Sequence, residues 1–540
     1  MKGTGKFLRL AAVIFPLALL TAGCMGTGKT PLVATVDVDV TDTADLEYQH
    51  VYVTINKIEF HSSPDADSDS AGWQTVDISA NPVTVDLAQL ANGKMYADTS
   101  TNKKALFSGI ALPADTYRQV RLYLAPTEDA ALAPSAIALG LRYNNQATLD
   151  YGTIAPIRIP NSGDGIKVVP ESPLVVTAGK NARLVLDFNL MDDMIDVYPN
   201  GEVECILKPR LGYFDMDAVG AIKGRVAFGN LHESYMVIKA EQVDSGKSFR
   251  VVRRTTIVDE TTGAFNLYPL PVFGNATTAT YDILLRGRNA QTVIVKNVTV
   301  HKGTSLTAGA ADLGTIAMNH GSEFEAQILD PFHPSGAWVG FHQTLTTDPV
   351  PFEVRTYHLN PYTGKFTNPV QLSSEAIQVY DFSTGSMSGP ISDTTTTPAS
   401  FFAVTEAPLY GRSAGVNVAG VTGTTVTFTP NPLTALPSAN KIDIAISMPG
   451  SMIGTLTKGY LFITYGGLII DCYQLDALMA AGGGSHTVLN LPGGTAATPL
   501  PGAFYGVSVF GWGVGTFASG GQLQVDLTSR NGAAVITMKQ

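Results

Sequence analysis

Hydrophobic and polar residues alternate along most of this chain with a period of two. Val36, Val38 and Val40 alternate with Asp37 and Asp39, which is the pattern of a half-buried strand. In HVYVTINKIEF, Val51, Val53 and Ile55 hold one parity while Ile58 and Phe60 hold the other. One extra residue near Asn56-Lys57, a β-bulge, reconciles the two halves. LVVTAGKNARLVLDFNL predicts a hairpin turning at Ala178 to Asn181, with Leu184, Leu186, Phe188 and Leu190 on one face. Gly, Pro, Asn or Asp punctuate these runs about every ten residues, the spacing of tandem β-sandwiches. The predicted fold class is therefore all-β, with several immunoglobulin- or transthyretin-like sandwiches in series. Helical signals are few: Asp86 to Gly93 and Asp471 to Gly482.

The N-terminus has another pattern. Lys2, Lys6 and Arg9 precede the apolar run LAAVIFPLALL, and the small residues Thr21, Ala22 and Gly23 lead to Cys24, as in a secretion signal. LLTAGC resembles a lipobox, the sequence at which bacterial lipoproteins are cut and acylated on the cysteine. The expectation is a signal peptide over 1–23, lipidation of Cys24 and a tether over 24–30. By the familiar sorting rule, Met25 after that cysteine implies the outer membrane, facing either the periplasm or the cell surface. A diacylglycerol with an amide-linked chain suffices for stable anchoring. GCMGTGKT, residues 23 to 30, also matches the P-loop pattern. A phosphate loop requires a helix to open at its Lys-Thr. Here Pro31 and a strand follow, so nucleotide binding is not expected.

With 540 residues, 45% of them hydrophobic, the chain has material for three or four cores. Removing the three basic residues of 1–23 leaves 32 basic against 46 acidic residues, a net of −14. Such a balance argues against nucleic acid as a partner. Cys205 shares parity with Val203 and Leu207, and Cys472 with Leu468 and Ile470. Both read as buried apolar residues in separate domains, with a disulfide open to them in an oxidising compartment.

Several blocks carry a family resemblance. VDVDVTDTADLEYQHVYVTINKIEFHSS, GWQTVDI with NPVTVDLAQLANG, LFSGIALPADTYRQVRLYL, and ARLVLDFNL with ILKPRL occur in an order that resembles the DUF4382 family over 31–215. That family is a domain of unknown function of secreted bacterial lipoproteins. The resemblance implies a β-rich extracytoplasmic domain and no catalytic residues. GAIKGRV, TTGAFNLYPLP, DILLRG and VIVKNVTVHKGTS resemble the carboxypeptidase regulatory-like family, a transthyretin-type sandwich, over 218–318. Residues 320–540 form a further β-rich region of one or two domains.

Chemistry-bearing patterns each meet a plainer reading. Gly411-Arg412-Ser413-Ala414-Gly415 is G-x-S-x-G, with Asp443 and His486 downstream in hydrolase order. A nucleophile elbow needs a helix after the serine, and strand follows, so a loop turn is expected. Asp65, Asp67 and Asp69 begin like a calcium loop and are the metal candidates, but Ser70 and Val76 stand where glycine and glutamate belong. A solvated hairpin loop accounts for them. His320, His333, His342 and His358, near Glu323, Glu325 and Asp330, contain no close ligand pair of the H-E-x-x-H kind. Trp338, Phe341, Trp512, Tyr460 and Tyr465 are read as core residues before a sugar- or peptide-binding platform. The resulting expectation is a non-catalytic, lipid-anchored structural or binding module of the cell envelope. It holds no cofactor, calcium aside, and its partner is an envelope polymer, a carbohydrate or a protein. A secreted hydrolase with its site in 320–540 and a calcium-dependent adhesin are the alternatives.

Overall fold

The structure is a computed structural model and describes residues 33–43, 47–99, 104–128, 131–168, 173–199, 201–208, 210–244, 248–329, 336–360, 364–366, 369–395, 400–418, 424–427 and 440–540. The lipobox, Cys24, the P-loop match, Asp330 and His333 lie outside them. The described chain is all-β, built as four successive units with a hydrophobic core each. No described helix is long and apolar enough to cross a membrane.

The first unit is a 13-stranded sheet around one core. At its centre is the 14-residue strand Tyr48–His61, whose register slips between Ile55 and Lys57. The extra residue is Asn56, and it lets Val51, Val53 and Ile55 share one core with Ile58 and Phe60. The turn at 177–180 forms, with Lys180 N–H donating to the Thr177 carbonyl at 3.1 Å. Its flanking strands nevertheless part company. Leu174–Val176 pairs with Asp115–Tyr117, and Asn181–Phe188 runs parallel to Val33–Asp42. The predicted hairpin is thus a corner between two sheets, because local turn chemistry does not decide which edge each arm finds. Of the two helical signals, the first is a 3-10 turn at Leu87–Leu90. The second shortens to Asp476–Ala480, its first half belonging to the strand Leu468–Gln474.

The second unit opposes a three-stranded sheet (Val219–Ala227, Ala264–Pro271, Ala311–Ala317) to a four-stranded one (Val237–Val243, Arg250–Ile257, Thr278–Arg286, Val293–His301). The latter is continued by Ile377–Asp381 and Ile391–Asp393, and Tyr380 and Phe382 enter its core. The third and fourth units are sandwiches of three plus five and three plus four strands.

The last unit packs against the first. Val197 and Ile206 meet Tyr460, Phe462, Ile469, Phe510 and Trp512 in a separate apolar cluster. Burying each such side chain contributes about 1.5–3 kcal/mol. Arg158 caps the cluster, its guanidinium 3.5 Å from the centre of the Phe517 ring and paired with Glu204 at 2.9 Å. Asn161 N–H donates to Ser508 Oγ at 2.6 Å, and a Cβ on Gly506 would stand 2.3 Å from Asn161 Nδ2. A glycine at 506 therefore leaves room for the Asn161 side chain.

Candidate functional site

A cavity lies between the first and second units. The strand Arg210–Asp215 leaves the first sheet paired with Asn181–Phe188, in register Leu186 to Tyr213 and Asp187 to Gly212. It runs through a 3-10 turn, Met216–Ala218, into the second unit. Opposite stand Val252 and Arg253 from the strand Arg250–Ile257, and Phe273 just past Ala264–Pro271. Together they enclose about 220 Å³, lined by Tyr213, Phe214, Asp215, Val252, Arg253 and Phe273 among others. Arg253 lies 4.9 Å from the centre of the Phe273 ring, and its Nε donates to Gln242 Oε1 at 3.3 Å. Asp215 Oδ1 accepts from Asp217 N–H at 3.0 Å. Burial pushes the Asp215 carboxyl above its ordinary value and the Tyr213 phenol likewise. Behind this wall Arg254 is buried, bonded to Asp187 and to the carbonyl of Asp42, and so clamps the joint.

A second polar assembly joins the second and third units. Lys239 Nζ meets Glu353 Oε1 at 2.8 Å, and Glu353 N–H donates to Glu241 Oε2 at 3.2 Å. Beside it Arg250 and Lys296 share Asp282 and Asp348, with Arg250 over the Phe352 ring at 3.6 Å. Desolvation pushes the Glu241 carboxyl up to about 8. Against burial, Lys239 keeps Glu353 below its ordinary range. His342 is held down to about 4, first by burial. Its Nδ1 lies 3.1 Å from the Gly340 carbonyl and its Nε2 3.3 Å from Arg412 Nη2. Arginine only donates, so Nε2 accepts and Nδ1 carries the proton.

The residues singled out in the sequence lie elsewhere. Ser413 is buried in the third unit, accepting from Thr405 N–H at 2.9 Å and donating to the Ala414 carbonyl at 3.1 Å. Asp443 and His486 sit in the fourth unit on paired strands, one register step apart and so on opposite faces. No triad assembles from them. Asp67 serves its own turn, accepting from the Ser70 hydroxyl at 2.7 Å and Asp69 N–H at 3.1 Å. Asp65 faces Gly502 of the last unit. Among the described residues no three acidic, thiol or imidazole groups converge on a metal position.

His320 lies against Phe228, and His358 neighbours Trp338 and Lys208. Of the five aromatics read as core residues, Trp512, Tyr460 and Phe341 are buried, while Trp338 and Tyr465 are half-buried. Cys205 and Cys472 are not joined by a disulfide. Cys472 departs from its predicted parity: a register slip near Ile470 places it beside Phe462, on the face toward the first unit. Sequence reasoning missed the cleft and the ion cluster. The signals were the paired arginines of VVRRTT and the charges of VIKAEQV, whose parity suggests a solvent face that another unit covers.

The comparisons bear on the first unit. Residues 33–209 match the domain of unknown function DUF4382. The match falls within the stretch 31–215 delimited by sequence blocks, so the DUF4382 domain coincides with the first sheet. No curated protein matches the chain. Among solved structures, the Bacillus anthracis TIE protein is 10% identical over 95% of this chain and 76% of that one, with a TM-score of 0.14. The full-length major pilin SpaD from Corynebacterium diphtheriae is 8% identical over 60% and 99%, with a TM-score of 0.13. A Streptococcal ancillary pilin is 8% identical over 58% and 98%, at 0.11. Scores of this size carry no functional argument.

Proposed function

We infer that this chain is a structural and binding module of the bacterial cell envelope, cleaved before Cys24, lipid-anchored there and free of catalysis. The observation that carries this reading is the closure of its β-units on one another. The DUF4382 sheet is held by the last unit through an apolar cluster and by the second through Arg254 and Asp187. A chain locked at both joints presents its loops and its cleft as one rigid body, which suits display and docking. The lipid on Cys24 supplies the membrane attachment, and an envelope polymer, carbohydrate or protein is the partner. The second unit serves as a carboxypeptidase regulatory-like spacer.

Protease shaving of intact cells tests the placement. Peptides from beyond residue 31 are released while an acylated Cys24 fragment stays with the membrane if the body is on the surface. Release only after the outer membrane is broken places it in the periplasm. A chain recovered unacylated in the soluble fraction overturns the proposal.

A further inference from the structure

We propose that the cleft between the DUF4382 domain and the second unit binds one neutral pyranose ring of a glycan. The inference rests on reading the chain as a binding module and gives that module a ligand class. Size sets the first limit. About 220 Å³ is many times the roughly 10–15 Å³ that one water occupies on this measure, and leaves room for a six-membered ring and its hydroxyls. Glycine and proline at the rim, Gly274 and Pro173, are exposed, so neighbouring sugar units of a polymer can continue into solvent.

The walls set the second limit. Phe273 and Val252 line the cleft with apolar surface for the C–H side of a ring, beside the strand that carries Tyr213 and Phe214. Arg253 contributes N–H donors only, and the Asp215 carboxyl contributes acceptors. Donors and acceptors above an apolar wall are what a ring carrying several hydroxyls satisfies, each hydroxyl being both donor and acceptor. A purely apolar ligand would strip these groups of water without replacing their hydrogen bonds.

Charge sets the third. The lining carries one arginine, Arg253, and two carboxylates, Asp215 and Asp187, the latter neutralised by Arg254 behind it. The cleft therefore holds no excess of either sign, inside a chain whose net charge is −11. An anionic ligand would meet one arginine among two carboxylates, and an unfavourable long-range field.

Calorimetry or saturation-transfer NMR of the full chain tests this, with the methyl glycosides of glucose, galactose, mannose and N-acetylglucosamine at millimolar concentration, and with glucuronate and benzoate as anionic probes. The expected result is binding of at least one neutral glycoside in preference to both anions. Affinity should fall about tenfold or more in Arg253→Gln and in Phe273→Ala. Unchanged melting temperatures of the two variants exclude loss of folding, and Asp215→Asn provides an independent reading from the opposite wall. Four silent glycosides, preference for an anion, or undiminished binding in all three variants overturns the assignment. Surface display with no glycoside bound leaves the envelope reading standing and removes only the ligand.

Discussion

Two of the joints between units differ in their chemistry. Between the first and last units the contact is apolar, with Val197 and Ile206 against Phe462, Phe510 and Trp512. Between the second and third, Leu284 and Ile294 enter the third core, and beside them Lys239, Glu353, Arg250, Asp282, Lys296 and Asp348 form an ion cluster around Glu241. The apolar side chains of the first joint carry no titrating group. A buried ion cluster is costly to desolvate and admits only arrangements in which every charge is met. The first joint thus rests chiefly on apolar burial, and the second adds a charge arrangement that restricts register.

The largest expected effect comes from breaking the ionic joint on one side only. Lys239→Met leaves Glu353 buried without its cation and costs roughly 3–5 kcal/mol, read as a fall in the denaturation midpoint. Trimming the apolar joint with Ile206→Ala removes a fully buried side chain and costs roughly 2–5 kcal/mol. That second loss is the same at pH 6 and pH 8, since no titrating group is touched. A loss that changed with pH would erase the distinction between the joints.

Acidity separates them further. Glu241, pushed up to about 8 from 4.5, keeps a proton in the fold that the unfolded chain has released. Its contribution is complete below 4.5 and is lost as the pH rises toward 8. His342, held down to about 4 from 6.5, acts in the opposite sense. There the unfolded chain takes up a proton that the fold refuses, so stability is lost as the pH falls from 6.5 toward 4. Above 6.5 the histidine contribution levels off while that of Glu241 continues to fall. Stability should decline by up to about 2 kcal/mol between pH 6.5 and 8, at about 1.4 kcal/mol per pH unit. Glu241→Gln should flatten this slope, and a slope unchanged in that variant would assign it to another group.

The smallest effect belongs to the acidic loop, which lies at neither the ionic nor the apolar joint core. Asp67→Ala should cost about 0.5–1.5 kcal/mol through its lost turn hydrogen bonds. Added calcium should leave the melting temperature of the parent chain unchanged, because a ligand held only by the fold would raise it.

Much of the fold was legible because strand alternation is local. The bulge at Asn56 followed from Val51, Val53 and Ile55 changing parity to Ile58 and Phe60, and the DUF4382 domain from ordered sequence blocks. What stayed hidden was contact between units. Ile206 has the parity of a solvent-facing residue and is buried because the last unit covers it. Lys239 and Glu241 read as a polar strand face, yet the strand Asp348–Asn360 lies over them. The cleft likewise needs Asp215 and Arg253, which only tertiary packing brings together. The slip near Ile470 left no Gly or Pro signal, so the face taken by Cys472 was misassigned.

The central claim, a rigid β-body tethered through a lipid on Cys24, is tested most directly by metabolic labelling with an alkyne fatty acid in cells expressing the chain or its Cys24→Ser variant. The account predicts a labelled chain in the membrane fraction and an unlabelled variant that leaves it. An unlabelled parent chain, or a variant that stays labelled and membrane-bound, would contradict it.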